Sequence, residues 1–222
     1  MTEKLADLGF SKGIITETIV STYNVDDQPN AAPMGVTMEN AQHVAIRPYT
    51  STLTYMNLQL KKCAVINVTA NPELYYRTAF KETNPKGKMP QEWFEKAETV
   101  DAPKLRMADA HIEVSVTDIS AFDAERATAL CQVKLVKAPK MLPKVYCRAS
   151  SATIEAVIHA TRVKVLVNND KNEQKNVSKL LEMIKNCNDI VNRVAPNSRY
   201  SEIMTDLTKR IDSWRTKSES LR

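Results

Sequence analysis

Residues 43–57 read HVAIRPYTSTLTYMN, and the fold turns on how that stretch is divided. HVAI is apolar and strand-like, the pattern carries through RPY to residue 49, and LTYMN turns into a short helix beginning near Leu53. At the junction lie Arg47, the hydroxyls of Thr50, Ser51, Thr52 and Thr54, and the amide of Asn57. Thr50, Ser51 and Thr52 fall where that helix has its unpaired N–H groups and the positive end of its dipole. Thr54 and Asn57 are three apart and share a helix face. Arg47 supplies a charge-assisted and potentially bidentate pair to an oxyanion. The simpler reading is that one hydroxyl caps the helix and the rest decorate an exposed turn. One cap needs one residue, whereas the segment offers four hydroxyls and an arginine. The composition points to an anion without saying which.

Outward from this junction the first half of the chain reads as β. GIITETIVSTY (13–23) is rich in β-branched residues, NVDDQPN supplies turn chemistry, and AAPMGVTM (31–38) is the return strand. HVAIRPY (43–49) and CAVINVT (63–69) are two more strands, and NPELYYRTAF (71–80) begins as a helix with proline at its tolerated first position. Residues 81–104 form a long excursion, with a short helix expected around QEWFEKA. RMADAHIEVSVTDIS and ERATALCQVKLVKA then read as two long strands joined at AFDAE. Strands at such hairpin spacing predict a small antiparallel barrel.

From residue 148 the period changes to helical. Ile154, Val157, Ile158 and Val165 share one spacing; Val177, Leu180, Leu181, Ile184, Val191 and Val194 form a second stripe. Tyr200, Ile203, Leu207, Ile211 and Trp214 form a third, beyond a break at Ala195-Pro196-Asn197. The last two read as an antiparallel helical hairpin, and all three stripes as core. The expected fold is α+β, with a barrel domain over 1–147 and a small helical domain over 148–222.

Composition narrows the function. With 222 residues, 43% hydrophobic and 26% charged, the chain has the profile of a globular protein. No apolar run approaches the length of a membrane span, and MTEKLADLGF lacks the apolar core of a signal peptide. Cys63, Cys131, Cys147 and Cys187 are scattered, form no C-x-x-C pair and lie near none of the three histidines. That pattern disfavours structural zinc and fits reduced thiols in the cytoplasm. The four glycines, Gly9, Gly13, Gly35 and Gly87, form neither a P-loop nor a dinucleotide fingerprint, so a phosphate would be held by side chains and a helix end. The net charge is only +5, yet residues 126–169 carry eight basic residues against Glu155 alone. Such a stretch suits an anionic ligand or a nucleic acid, or simply lysines that guard a strand edge. With Tyr146 as its only aromatic residue, nucleic acid is the weaker reading.

Three blocks, NAAPMGV (30–36), RPYTSTLTYMN (47–57) and INVT (66–69), occur in an order and spacing that is similar to an uncharacterised, largely archaeal flavoprotein family. Its members join an FMN-binding split barrel of the flavin-reductase-like kind to a C-terminal helical domain. The resemblance continues through HIEVSV and CRASSATIEAVIHATRVKVL, and is weakest over 81–104 and the last helix. It implies FMN held near the subunit interface of a homodimer. Carried over residue by residue, Arg47, Thr50, Ser51, Thr52, Thr54 and Asn57 would take the phosphate and ribityl end. Met34, Gly35 and Val36 would lie along the isoalloxazine, with Gly35 suiting a close backbone approach. A strand bend or bulge is the plainer reading of the same glycine. Asn67 would either reach the flavin or serve as an ordinary strand residue.

On the C-terminal side Glu155, His159 and Arg162 form one polar helix stripe. His159 and Arg162 are candidates for the substrate side, against the plainer reading of a surface charge pair with a bystander histidine. Cys147 beside Arg148 has no visible base partner, so no nucleophile is assigned and the catalytic residues stay open. The leading expectation is an FMN-dependent oxidoreductase, with a nicotinamide nucleotide as possible donor and no membrane partner. Its rivals are a non-catalytic FMN-binding protein that reports redox state, and a module that binds polyanions through the basic stretch.

Overall fold

The computed structural model describes residues 5–12, 14–138, 147–167 and 174–220. Contacts divide them into two units, one from the described residues of 1–69 and 80–143, the other from those of 70–79 and 144–222. The first unit holds strands β1 (Ile15–Tyr23), β2 (Pro29–Asn40), β3 (His43–Ile46), β4 (Cys63–Val68), β5 (Phe94–Lys96), β6 (Pro103–Leu105), β7 (Ala110–Ala121) and β8 (Ala127–Lys137). Helix α1 (Leu53–Lys61) lies between β3 and β4. Six of the strands close an antiparallel barrel in the order β1-β2-β3-β8-β7-β4, and β5 pairs with β6 beside it.

Alternation explains the barrel. Val20, Val36, Val44, Ile46, Ile66, Ile112, Val114 and Cys131 point to one interior and are buried there, with Leu58 of α1 among them. Burial on this scale is the main source of stabilisation. The β1–β2 turn closes with the Asn24 N–H on the Gln28 carbonyl and Asp27 at a φ of 56°, a left-handed position that Asp tolerates. The β7–β8 turn at AFDAE is built by Asp123, whose carboxylate accepts from the N–H groups of Glu125 and Arg126.

Two expectations need correction. The strand expected over 43–49 stops at Ile46, although Tyr49 forms an isolated bridge to Arg126. Pro48 has no N–H to give a ladder, and it biases the residue before it. The helix expected around QEWFEKA is instead one 3-10 turn, Gln91–Trp93, running into β5. Phe94 is buried there, and β5 and β6 pair from Phe94↔Leu105 to Lys96↔Pro103. Tertiary pairing overrides local helix propensity. The excursion is anchored by Glu113, whose buried carboxylate accepts from the Glu98 N–H at 2.8 Å and from the Thr99 N–H and hydroxyl at 2.6 Å each.

The second unit comprises α2 (Pro72–Ala79), α3 (Arg148–Leu166), α4 (Gln174–Val194) and α5 (Arg199–Ser220). Thus α2, which lies within 1–147, groups with the later helices. The α3 core differs from the expected stripe. Val157 and Ile158 are buried, but Val165 is 44% exposed, and Ala149, Ala152, Ala156 and Ala160 do most of the facing. Small residues let α3 approach α4, α5 and α2 closely. Ile184 and Val191 of α4 and Ile203, Met204, Leu207 and Ile211 of α5 complete the core. Polar contacts tie α2 to α5: Glu73 accepts from Arg199 at 2.8 Å, and the Tyr76 hydroxyl donates to Asp206. No helix among the described residues is long and apolar enough to cross a membrane.

His159 sits inside this unit with its Nδ1 buried and unpartnered, and its Nε2 3.8 Å from Glu155. Burial pushes its pKa below the ordinary histidine value, only partly offset by the Glu155 charge. The unfolded chain therefore binds the proton more readily, and stability that is present above pH ~6.5 falls as the pH drops below it. Denaturant unfolding followed by helical circular dichroism should show less acid sensitivity between pH 7.5 and 5.5 in His159→Leu than in the native chain. Equal sensitivity would show that the imidazole is not the group responsible.

Candidate functional site

The site is built where β3 ends. Thr52 caps α1: its Oγ1 accepts from the Tyr55 N–H at 3.4 Å and donates to the Tyr49 carbonyl at 2.7 Å. The Thr50 N–H and hydroxyl both donate to the Glu125 carbonyl, at 2.8 and 3.0 Å, lashing the loop to the β7–β8 turn. Two of the four hydroxyls thus build the loop. Ser51 is exposed and makes no hydrogen bond among the described residues. The N–H groups of Leu53 and Thr54, in the first turn of α1, have no intrahelical acceptor.

Arg47 enters from the other side. Its Nε is buried without a hydrogen-bond partner, and it has no carboxylate partner among the described residues. Its guanidinium carbon lies 4.9 Å from the centroid of Phe122, and Arg126 lies at the same distance from that ring. Arg126 is neutralised by Asp123 at 2.6 Å, whereas Arg47 is not. An oxyanion is the kind of group that satisfies an unpartnered, buried cationic donor. A cleft of about 670 Å³ adjoins, lined by Thr50, Tyr55, Gln59, Lys62, Asp118 and Arg126 among others.

Thr54 and Asn57 face inward, 2% and 1% exposed. Asn57 Nδ2 donates to Thr22 Oγ1 and Asn24 Oδ1, both at 2.9 Å. Asn30 Nδ2 donates to Thr22 Oγ1 and Thr54 Oγ1, both at 3.3 Å, and Lys81 Nζ donates to Asn30 Oδ1. Asn57 therefore holds α1 onto β1, and only the hydroxyl proton of Thr54 stays available to the loop.

Met34, Gly35 and Val36 lie on β2 next to this junction, since Val36 pairs with Ile46 and the β2–β3 ladder ends there. Residues 29–35 of β2 consequently have no strand partner on that side among the described residues. Val36 is fully buried, and Met34 packs on the same core, so their side chains are engaged and only backbone faces outward. The β1–β2 register runs through Gly35 without a bulge. A Cβ at Gly35 would meet Ile15 Cγ2 at 2.8 Å, which accounts for the glycine by cross-strand packing.

Asn67 is fully buried and both ends of its amide are occupied. Nδ2 donates to the Ile19 carbonyl and Ser21 Oγ at 2.8 Å, and Oδ1 accepts the Leu105 N–H at 2.8 Å. It ties β4 to β1 and β6. His159 and Arg162 belong to the helical unit, the first buried and the second exposed. The basic stretch is likewise divided. Arg126 pairs with Asp123 and Lys137 with Glu98, Arg162 and Lys164 lie on α3, and Lys140 and Lys144 fall outside the described residues.

Sequence reasoning missed Asn30, Lys81, Phe122 and Arg126 as parts of this region. Asn30 sits in a turn-like QPN, and Lys81 opens what reads as a loop. The β1–β2 register sets Asn30 beside Thr22, and only the folded chain brings Lys81 to it.

A family model described as "Protein of unknown function (DUF447) N-terminal domain" matches residues 16–139. No curated protein matches the chain. Among solved structures, an FMN-bound protein from Methanosarcina mazei, assigned to the same family, is 22% identical with a TM-score of 0.70, covering 92% of this chain and 98% of that one. Nitrilotriacetate monooxygenase component B from Bacillus cereus is 13% identical with a TM-score of 0.50, covering 65% of this chain and 80% of that one. At these identities the likeness is one of fold, a six-stranded antiparallel barrel; with the first structure it extends over nearly the whole chain.

Asn67→Ala should cost about 1–3 kcal/mol of stability, because it strands the buried Leu105 N–H. A urea midpoint unchanged from the native chain would remove Asn67 from this structural role.

Proposed function

The chain belongs to the DUF447 family, and we propose that it is an FMN-binding flavoprotein whose cofactor phosphate sits at the start of α1. The observation that carries this is the Arg47 Nε, buried and unpartnered, in the segment that leads into α1, whose first N–H groups have no intrahelical acceptor. A dianionic phosphate would satisfy both, with Ser51 and the Thr54 hydroxyl as further donors. Thr50 and Thr52 would hold the loop in shape without spending a proton on the ligand. Asn57 would act one layer beneath by fixing α1. The FMN-bound family member of the same fold supports the choice of flavin over other phosphates.

The open edge of β2 suits the rest of the cofactor. Over residues 29–35 the backbone groups facing away from β1 have no strand partner among the described residues, and around Met34 and Gly35 they would meet a planar heterocycle with hydrogen-bonding edges, with Val36, paired to Ile46, marking the end of that open edge. Bound FMN would supply hydride and electron chemistry that no side chain of the chain supplies. The protein's part is to bind, orient and exclude water. We place it among oxidoreductases of the flavin-reductase-like kind because the barrel site holds no convincing acid–base pair, and hydride arrival at a flavin needs none. A nicotinamide nucleotide is the donor class to test first.

The purified protein should retain flavin bands in its visible spectrum after incubation with FMN and dialysis. Arg47→Ala should weaken FMN binding by about 1.5–3 kcal/mol, the scale of a hydrogen bond to a charged group, with the fold intact. A colourless protein after dialysis would overturn the flavin reading, and unchanged FMN affinity in Arg47→Ala would remove Arg47 from the site. Turnover with no donor and acceptor pair, in a chain that still binds FMN, would leave a non-catalytic flavin binder.

A further inference from the structure

We propose that Lys81 is a positioning residue of the phosphate site, acting through Asn30 to aim the Thr54 hydroxyl at the anion. This rests on the reading of that site given above, and it assigns a role to a residue outside the loop that forms the site.

Lys81 lies two residues beyond the end of α2 and is fixed by a tight turn. The Thr83 N–H and hydroxyl both donate to the Phe80 carbonyl, and the Asn84 N–H donates to the Lys81 carbonyl at 2.9 Å. Its ammonium is largely withdrawn from water, and burial lowers its pKa to about 8. It forms no ion pair among the described residues, and the Asn30 side-chain oxygen is its one hydrogen-bond acceptor there. A largely buried cation whose one hydrogen-bond acceptor is a neutral amide, with Glu82 attracting it only from a distance, is costly unless its charge is used.

The direction of each bond follows from what the groups are able to do. An ammonium has donors and no acceptor, so the Asn30 oxygen must face it. The Asn30 Nδ2 must then face Thr22 and Thr54, and it donates to both hydroxyl oxygens at 3.3 Å. A threonine oxygen that accepts from an amide keeps its own O–H to give elsewhere. For Thr54, in the first turn of α1, the remaining direction is the anion site beside its own free N–H and that of Leu53. Every dipole from Lys81 to Thr54 thus has its positive end toward the phosphate, an arrangement in which successive bonds strengthen one another. Without the ammonium, Asn30 is free to turn its oxygen toward Thr54. The hydroxyl would then donate inward and be lost to the ligand.

The alternative is that Lys81 merely ties the 81–104 excursion to β2. A double-mutant cycle separates the two. Dissociation constants for FMN and for riboflavin, which lacks the phosphate, are measured by flavin fluorescence. The proteins are the native chain, Lys81→Met, Thr54→Val and the double variant, and each flavin-free protein is also melted. Lys81→Met should weaken FMN binding roughly tenfold, the scale of one charge-assisted hydrogen bond, and leave riboflavin binding unchanged. Thr54→Val should do much the same, and the double variant should lose no more than the worse single one. Losses that multiply in the double variant, equal losses for riboflavin, or native FMN affinity in Lys81→Met would each overturn the assignment. Should Lys81→Met fail to fold, Asn30→Asp serves instead: its carboxylate keeps the Lys81 contact but has no proton for Thr54, so native FMN affinity in that variant is equally fatal. Failure of the native chain to bind FMN at all would instead bring down the underlying reading of the site.

Discussion

The β2–β3 ladder ends at Val36↔Ile46, and the architecture around the site depends on that. On the β8 side the chain beyond Ile46 stays attached, through the Ala127 N–H on the Pro48 carbonyl and the Tyr49–Arg126 bridge. On the β2 side pairing stops at Val36, leaving the first seven residues of β2, 29–35, without a strand partner on that edge among the described residues. The barrel therefore remains closed while one seam in it opens. The same break sends the chain into α1 and leaves Arg47 at the mouth of the seam. A strand that continued to residue 49 would cover more of the β2 edge and leave less chain for the loop before α1.

Within that opening the polar groups fall into two classes. Thr50, Thr52, Asn57 and Asn67 are spent on holding backbone in place, each with its hydrogen-bonding capacity directed at other parts of the fold. Arg47, Ser51 and the first N–H groups of α1 are left over. Fully satisfied buried networks are rigid, and a rigid scaffold lowers the ordering cost of any ligand that the leftover donors would hold. The difference between Arg47 and Arg126 makes the division concrete. Both rest on Phe122, but only Arg126 has a carboxylate of its own.

Much of this was legible in the sequence. Apolar, β-branched runs at hairpin spacing, ITETIVSTY and CAVINV among them, identified barrel strands, and the hydroxyl-rich segment marked the helix start correctly at Leu53. What failed did so for nameable reasons. QEWFEKA has helical composition, but Phe94 is buried and pairs with Leu105, so it enters a strand. The α3 stripe was sought in Ile154 and Val165, whereas the packed face is largely alanine, which a search for large apolar residues overlooks. Hydroxyl count overstated the ligand-facing groups, because a threonine that closes a turn and one that meets a ligand look identical in a sequence. Lys81 and Asn30 are fifty-one residues apart and meet only through the fold.

The central claim is that the α1 N-terminus and Arg47 exist to hold a flavin phosphate. The ratio of FMN to riboflavin affinity, measured side by side in the native chain and in Arg47→Ala, tests it most directly, because the two flavins differ only in that group. The account predicts that the native chain prefers FMN by at least roughly tenfold, a charge-assisted hydrogen bond or more, and that most of the preference disappears in Arg47→Ala. Equal affinity for the two flavins in the native chain would contradict it, and would mean that any flavin bound here is held by its ring and not by its phosphate.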